Sequence, residues 1–214
     1  MRERSRLSLT ISASLLVLFL MQGCLAYSSF QSARIIEKGR PHSMVGASRT
    51  LGTEMDDAIW TLNGDMRFGL NPQLDWSFRM SVFTSNALEG GGALIGGDIR
   101  AGVIPDHLTF ALPVSIILGD FMFYSTRVQP GFIGTQPLAK NLDLNAAARA
   151  SFFLIAPGSF DMTYNAGLGI TTPSGRWTIH PEIAVFHNVG QNEMLAQFGI
   201  GVERNFVDAD IIMR

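Results

Sequence analysis

The residues of this sequence that could do acid–base chemistry lie in its last quarter. His180 and Glu182 are two residues apart, so in an extended strand their side chains share one face, with Thr178 beside them. A histidine paired with a carboxylate could act as a general base on a lipid ester. No serine is marked as its partner, and the sequence has no Gly-x-Ser-x-Gly elbow. We therefore expect a histidine that is satisfied by a neighbouring carboxylate, and no enzymatic activity.

Arginines and carboxylates form a second chemistry-bearing set, because they recur at alternate positions of extended runs. Five arginines and seven carboxylates belong to it: Asp65, Arg67, Asp75, Arg79, Asp98, Arg100, Arg127, Asp143, Arg149, Asp161, Glu182 and Glu203. Charges that are enclosed must be paired or hydrated, and a guanidinium offers a planar fork to carboxylates. If these residues face one interior, we expect an ion-pair and water network that fills it. A narrow hydrophilic conduit, whose charged rings select small solutes, is the alternative.

The elements that carry these residues alternate between apolar and polar side chains. From Trp60 to Leu70 the even positions are apolar or glycine and the odd ones mostly polar, which is a strand period. The pattern restarts at Leu74 after Asn71-Pro72-Gln73, so the two runs predict a β-hairpin. Similar runs cover residues 93–103, 107–118, 124–134, 142–154, 160–170, 177–187 and 194–206, with a weak first strand at 43–51.

These runs predict an all-β fold, an antiparallel up-and-down β-barrel of about ten strands of the outer-membrane type. Runs of about ten residues suffice for a tilted strand to cross a hydrocarbon core. Glycine, proline and asparagine mark the breaks, and the triple glycine at 90–92 is predicted to be a loop. Aromatic residues fall near the predicted rims, as a girdle requires: Trp76, Trp177 and Phe206 at one rim, Trp60 and Phe160 at the other.

The N-terminus predicts export. Three arginines precede an uncharged stretch from Leu7 to Met21, which is typical of a secretory signal peptide. The stretch ends in Met21-Gln22-Gly23-Cys24, which resembles the lipobox of bacterial lipoproteins, so we expect lipidation at Cys24. Cleavage after Ala26, with loss of Cys24, is the alternative. The expected domains are a signal peptide at 1–23, a tether or plug at 24–42, a barrel at 43–206 and an extension at 207–214.

Several short stretches resemble one family. These are Tyr27–Arg34 with Lys38-Gly39, then Gly69–Asp75, then His180–Ile183. They resemble the uncharacterised outer-membrane β-barrel proteins and lipoproteins of Gram-negative bacteria. The last strand partly resembles the assembly signal of such barrels, since Phe206 closes an alternating run, but Arg204 stands where a hydrophobic residue is usual. The resemblance implies the architecture and no activity.

The amino-acid composition limits the kinds of partner and cofactor that this chain is expected to bind. The chain has 214 residues, of which 47% are hydrophobic and 16% charged, with a net charge of −2 and only two lysines. Such a chain has no cationic face for nucleic acid. One cysteine and four scattered histidines predict neither a disulfide framework nor a metal site, and we expect no cofactor. The expected partners are membrane lipids and the machineries of outer-membrane assembly and lipoprotein sorting; the sequence leaves the oligomeric state open.

The prolines of the sequence oppose a transmembrane barrel. Pro113, Pro130 and Pro181 fall inside predicted strands, where each removes a hydrogen-bond donor. An inverted barrel, with apolar residues inside and the charges outside, would be a periplasmic lipocalin-like lipid carrier. The scarcity of lysine and the aromatic residues at the strand ends favour the membrane barrel. We expect an outer-membrane, lipid-anchored location, with the periplasm as the alternative.

Overall fold

The computed structural model describes residues 30–51, 59–85, 90–119, 122–154, 160–189 and 193–206. They form eleven strands: β1 His42–Leu51, β2 Ile59–Asn71, β3 Leu74–Ser85, β4 Gly90–Ile104, β5 Leu108–Gly119, β6 Met122–Val128, β7 Gly131–Ala139, β8 Leu142–Phe153, β9 Phe160–Thr171, β10 Trp177–Asn188 and β11 Glu193–Asn205. Within these ranges no helix is long and apolar enough to cross a bilayer.

The strands close into a ten-stranded antiparallel barrel. Sequential neighbours pair along the chain, β1 pairs with β11, and β4 pairs with β5, so no edge is left open. Strands β6 and β7 occupy one position in the sheet, because both pair with β5 in the same register. Gln129 and Pro130 interrupt this strand because proline has no N–H to donate. The fold class predicted from the alternation is confirmed.

The other two prolines are accommodated inside the ladder. Pro113 lies opposite Asp98, whose Oδ1 accepts the N–H of Leu112 at 3.1 Å. Pro181 keeps its register with β11 but makes no pair with β9. The barrel therefore accommodates Pro113 and Pro181 by a side-chain hydrogen bond and by local loss of pairing, without a shift in register, whereas a register shift follows Pro137 in β7.

Two predicted boundaries are wrong. The triple glycine at 90–92 is the start of β4 rather than a loop, because it pairs with β3 from Phe83 to Ser85. A side chain at Gly92 would collide with the ring of Phe83, so strand pairing here requires glycine. The run predicted at 124–134 extends from Met122 to Ala139, with the break at Pro130.

The outward face of the barrel is apolar. Large hydrophobic side chains are among its most exposed residues, including Leu62, Ile99 and Ile183 at 53%, 56% and 50% exposure. Trp76 and Trp177 lie near the end where β1 begins and β11 ends, here called the proximal end; Trp60 lies near the opposite, distal end. This is the surface of a transmembrane barrel, with an apolar band between aromatic girdles. It is opposite to the surface that a lipocalin-like carrier would need.

Replacing Ala148 by Arg should destabilise the barrel in a bilayer by about 2–4 kcal/mol. Ala148 is exposed at the middle of β8, so the substitution would place a charge at the bilayer midplane. Urea unfolding in lipid vesicles, followed by tryptophan fluorescence, measures the change. Ala139→Arg at the proximal rim is the matched control, with an expected loss of about 0–1 kcal/mol. Equal losses for the two variants would contradict a lipid-facing position for Ala148.

Candidate functional site: the barrel interior

All twelve charged residues of the alternating set are buried inside the barrel. None of the twelve residues is more than 8% exposed to solvent. Because side chains alternate along a strand, the apolar neighbours of these residues face outward. The interior is therefore lined by charge, and the contacts of each group determine what it can do.

The most extensively bonded carboxylate is Asp75 on β3. Arg100, directly opposite on β4, donates from Nε to Oδ1 at 2.8 Å and from Nη2 to Oδ2 at 2.6 Å. Arg67 on β2 also donates to Oδ2, at 3.3 Å. Bidentate pairing of this kind is the strongest geometry available to arginine and carboxylate. Asp75 therefore fixes three neighbouring strands from the inside.

Two further pairs lie on either side of this group. Asp65 accepts from Arg79, which is directly opposite on β3, with Nε and Nη2 at 2.8 and 2.7 Å from Oδ2. Asp143 accepts from Arg34, a residue that precedes β1, at 2.9 Å. The first pair is buried on both sides, whereas the Arg34 side chain is 49% exposed. The Asp65–Arg79 pair is thus enclosed, whereas the Asp143–Arg34 pair is open to solvent on its arginine side.

Glu203, rather than Glu182, is the carboxylate that satisfies the histidine. His180 Nε2 lies 2.9 Å from Glu203 Oε2, and His42 Nδ1 lies 2.7 Å from Oε1. The sequence-based pairing of His180 with Glu182 is therefore wrong. Residues i and i+2 on one strand are nearly 7 Å apart, whereas a side chain on the neighbouring strand lies nearer. Glu182 instead accepts from Asn165 Nδ2 at 2.9 Å.

The remaining charged residues lie towards the distal half of the interior. Arg127 donates to Ser151 Oγ at 2.9 Å, and its guanidinium lies 5.5 Å from the ring of Phe153. Arg149 Nη2 is 3.5 Å from Gln31 Oε1, and Asp161 faces the same interior. In this part of the barrel, polar side chains of β6, β8 and β9 face one another across the interior.

The interior also contains a stretch of the chain that sequence reasoning left undecided. Residues 30–36, here called the internal segment, lie inside the barrel; Phe30, Gln31, Ala33 and Ile36 are almost wholly buried. Three backbone N–H groups donate to inward side chains: Phe30 to Glu182 Oε2 at 2.8 Å, Ala33 to Thr135 Oγ1 at 2.7 Å, and Ile36 to Asp75 Oδ2 at 3.0 Å.

Backbone carbonyls of the internal segment are satisfied in the same way. Arg100 donates to the carbonyls of Ser32 and Arg34 at 3.0 and 2.9 Å, Arg67 also donates to the Arg34 carbonyl at 2.9 Å, and Thr109 Oγ1 donates to that of Ala33. Buried backbone groups need such partners. The charged wall therefore serves two purposes, since its arginines pair with carboxylates and also hold the segment.

Phe30 is seated in a cradle of three glycines. A Cβ added to Gly46 on β1, or to Gly199 or Gly201 on β11, would lie 2.6, 2.7 or 2.8 Å from a ring atom of Phe30. Phe30 itself has a φ of 41°, a left-handed conformation that is rare for a bulky residue. Gly199 and Gly201 stand at alternate positions of β11 on its inward side, and these glycines are the sequence signal for a buried ring.

Apolar side chains join the buried Arg127 and Asp161 towards the distal end of the interior. These apolar side chains form two clusters. In one, Leu94, Ile117 and Phe153 pack with Phe83; in the other, Ala184 and Phe186 pack with Leu195. Sequence reasoning missed these residues because it treated each inward face as uniformly polar. The signal is the replacement of polar by apolar side chains at inward positions near the distal ends of β4, β5, β8 and β10; Leu94, Ile117, Phe153, Ala184 and Phe186 are here called the distal constriction.

A polar cavity opens at the proximal end, between the internal segment and the wall. Its volume is about 380 Å³, and its lining includes Arg34, Arg67, Asp143, His180 and Glu203. Among the described residues, no group of histidine, cysteine, aspartate and glutamate has a geometry that could hold a metal ion. Cys24, the signal peptide and the extension at 207–214 lie outside the described residues, so these assignments stay predictions.

Several solved structures resemble the fold of this chain at low sequence identity. No family model and no curated protein matches the sequence. Similar solved structures include the translocator domain of the autotransporter NalP from Neisseria meningitidis (8% identity, TM-score 0.46, 94% of this chain and 97% of that chain). They also include an outer-membrane channel from Pseudomonas putida F1 (8%, 0.46, 85% and 100%) and Ail of Yersinia pestis (15%, 0.33, 79% and 99%). These likenesses concern the architecture alone, and the conclusions below rest on the geometry of this chain.

Proposed function

We propose that this chain is a non-enzymatic outer-membrane β-barrel whose lumen is filled by its own internal segment. The apolar outer band, the aromatic girdles and the even number of antiparallel strands support a bilayer location. Since such barrels keep both termini on the periplasmic side, the proximal end faces the periplasm. A lipid anchor at Cys24, six residues before Phe30, belongs to the same proposal and is tested by metabolic labelling with palmitate.

The observation that carries the proposal is the seating of residues 30–36. Their N–H and carbonyl groups bond to inward side chains of β2, β4, β5, β7 and β10, as well as to Asp75 of β3. A segment bound to so many strands adds polar and apolar contacts to a barrel interior. A filled, structural barrel is therefore the function that the geometry supports best.

The proximal cavity favours a second candidate function. It gives small polar solutes about 380 Å³ of space beside Arg67, His180 and Glu203. If the internal segment withdrew, the charged wall would become a narrow conduit. Conduction would then require that the internal segment leaves the lumen and that the distal constriction opens.

Replacing Phe30 by Ala should loosen the internal segment without opening the barrel wall, because it empties the glycine cradle. In an Ala33→Cys background, a membrane-impermeant maleimide reports exposure of the segment, since Ala33 is fully buried. Either fate predicted for Cys24 leaves no competing native thiol. Loss of a buried phenyl group typically costs several kcal/mol, so we expect labelling at least about tenfold faster.

The matched control is Phe198→Ala, which removes an outward-facing ring from β11. It should leave the labelling rate unchanged. Fast labelling of Ala33→Cys alone would argue against a seated segment.

On SDS gels the folded chain, recovered from the outer-membrane fraction, should show a compact unboiled band that shifts on boiling. A chain that shows no shift and fractionates with the periplasm would overturn the membrane proposal.

A further inference from the structure

Arg204 and two aromatic rings form a compact patch on the outer surface at the proximal rim, and a second exposed arginine, Arg176, lies at the same rim. Arg204 lies opposite Trp177 in the β10–β11 ladder, and its guanidinium is 5.4 Å from the Trp177 ring and 4.8 Å from the Phe206 ring. Arg176 immediately precedes Trp177, and its carbonyl accepts the N–H of Asn205 at 2.9 Å. Cation–π contacts of this length hold a guanidinium in place.

The charges of this patch are available for a ligand. Arg176 and Arg204 are exposed, and neither forms an ion pair with a residue in the described part of the chain. The inward arginines differ from them in this respect: Arg67, Arg79 and Arg100 each pair with a carboxylate. The patch lies where Trp177 belongs to the aromatic girdle, which is the level of lipid headgroups.

The two rims of the barrel also differ in charge. Exposed basic residues cluster at the proximal end, where they are Arg34, Lys38, Arg40, Lys140, Arg176 and Arg204. The sequences that join strands at the distal end, residues 52–58, 86–89, 120–121, 155–159 and 190–192, contain five carboxylates and no lysine or arginine. Near the distal end the described residues include one partly exposed arginine, Arg49, which lies 5.2 Å from the Trp60 ring, so the proximal rim carries the greater positive charge and attracts anionic headgroups more strongly.

We infer that the patch formed by Arg176, Trp177, Arg204 and Phe206 binds the phosphate of an anionic phospholipid in the periplasmic leaflet. The inference rests on the membrane location proposed above. The Arg204 guanidinium can donate two hydrogen bonds to one phosphate from the headgroup side, Arg176 adds a second positive charge at this rim, and the rings pack against the glycerol and upper acyl region. Such a site selects a lipid with a net negative charge over a zwitterionic one, because no carboxylate of the described patch neutralises the arginines.

Native mass spectrometry of the full mature chain in detergent tests the site. The chain is titrated with phosphatidylglycerol and with phosphatidylcholine of the same acyl chains, and glycerophosphate is added as a soluble competitor. We expect a clear preference for phosphatidylglycerol and no competition by glycerophosphate. Arg204→Gln and Arg176→Gln should each weaken phosphatidylglycerol binding about tenfold. Arg204→Lys should be intermediate, because it keeps the charge and loses the fork.

Arg40→Gln is the matched control. It removes one positive charge from the same rim, but Arg40 already pairs with Glu37 at 2.7 Å. We expect less than a twofold effect, and an effect equal to that of Arg204→Gln would reduce the site to general electrostatic attraction and overturn it. Competition by glycerophosphate would overturn the lipid assignment. Each variant must keep its heat-modifiable band; Arg176→Gln, in an exposed turn, serves if Arg204→Gln fails to fold.

Failure of the inference is distinguishable from failure of the proposed function. An unmodified chain that is heat-modifiable, but binds both lipids equally, overturns the lipid site alone. An unmodified chain with no heat shift overturns the membrane barrel and the lipid site together.

Discussion

Replacing Asp75 by Asn is expected to lower the free energy of unfolding by about 3–5 kcal/mol, because it leaves buried arginines without their counter-charge. Asp75 is wholly buried, and it accepts from Arg100, from Arg67 and from the N–H of Ile36. An amide keeps the size of the side chain but lacks the charge, and one of its two positions donates instead of accepting. Urea titration of the barrel in vesicles, read by the fraction of compact band, measures the loss.

Asp143→Asn supplies the comparison. Asp143 pairs with Arg34, whose side chain is 49% exposed, so solvent screens this ion pair. The expected loss is at most about 1 kcal/mol. If the two variants lost stability equally, the Asp75 group would be no better enclosed than a solvated pair, and the filled interior would lose its main support.

The barrel could be predicted from the sequence because its physical requirement is local. A strand between lipid and a polar interior must alternate at every residue, so Trp60 to Leu70 and Leu142 to Leu154 show the pattern without any knowledge of their neighbours. Predicting which charged side chains pair requires more than the alternation, because it requires the register between strands. Asp65 meets Arg79 because the short β2–β3 turn fixes their register, whereas the meeting of His180 with Glu203 depends on the alignment of β10 with β11.

The internal segment could not be predicted by the same reasoning. Its residues have no period, and their partners are distributed over distant positions such as Asp75, Thr135 and Glu182. The sequence signal for the internal segment lies in the strands of the barrel, where the inward glycines Gly46, Gly199 and Gly201 leave space for an aromatic ring. Such a space can be recognised once the strands are aligned, but its occupant comes from a part of the chain without regular structure.

The second large effect concerns conduction, which we expect to require two changes together. Replacing residues 30–36 by seven glycine and serine residues should release the internal segment, yet the barrel should stay closed in planar-bilayer recordings. The distal constriction remains beside Arg127, and we expect its apolar side chains to exclude water from the pore. Adding Leu94→Ser and Ile117→Ser should produce resolvable channel steps, because these two residues face each other across β4 and β5 inside the barrel.

Neighbouring residues on the same two strands provide the control for this experiment. Ile95 and Ile116 are also paired across β4 and β5, but they are exposed on the lipid-facing side. Ile95→Ser with Ile116→Ser, in the chain with the replaced segment, should leave the barrel closed. Steps from the replaced segment alone would show that the internal segment is the sole closure. If the replaced segment combined with Leu94→Ser and Ile117→Ser gives no channel steps, and the heat-modifiable band is intact, the charged wall conducts nothing even without both closures. The filled structural barrel would then stand as the function.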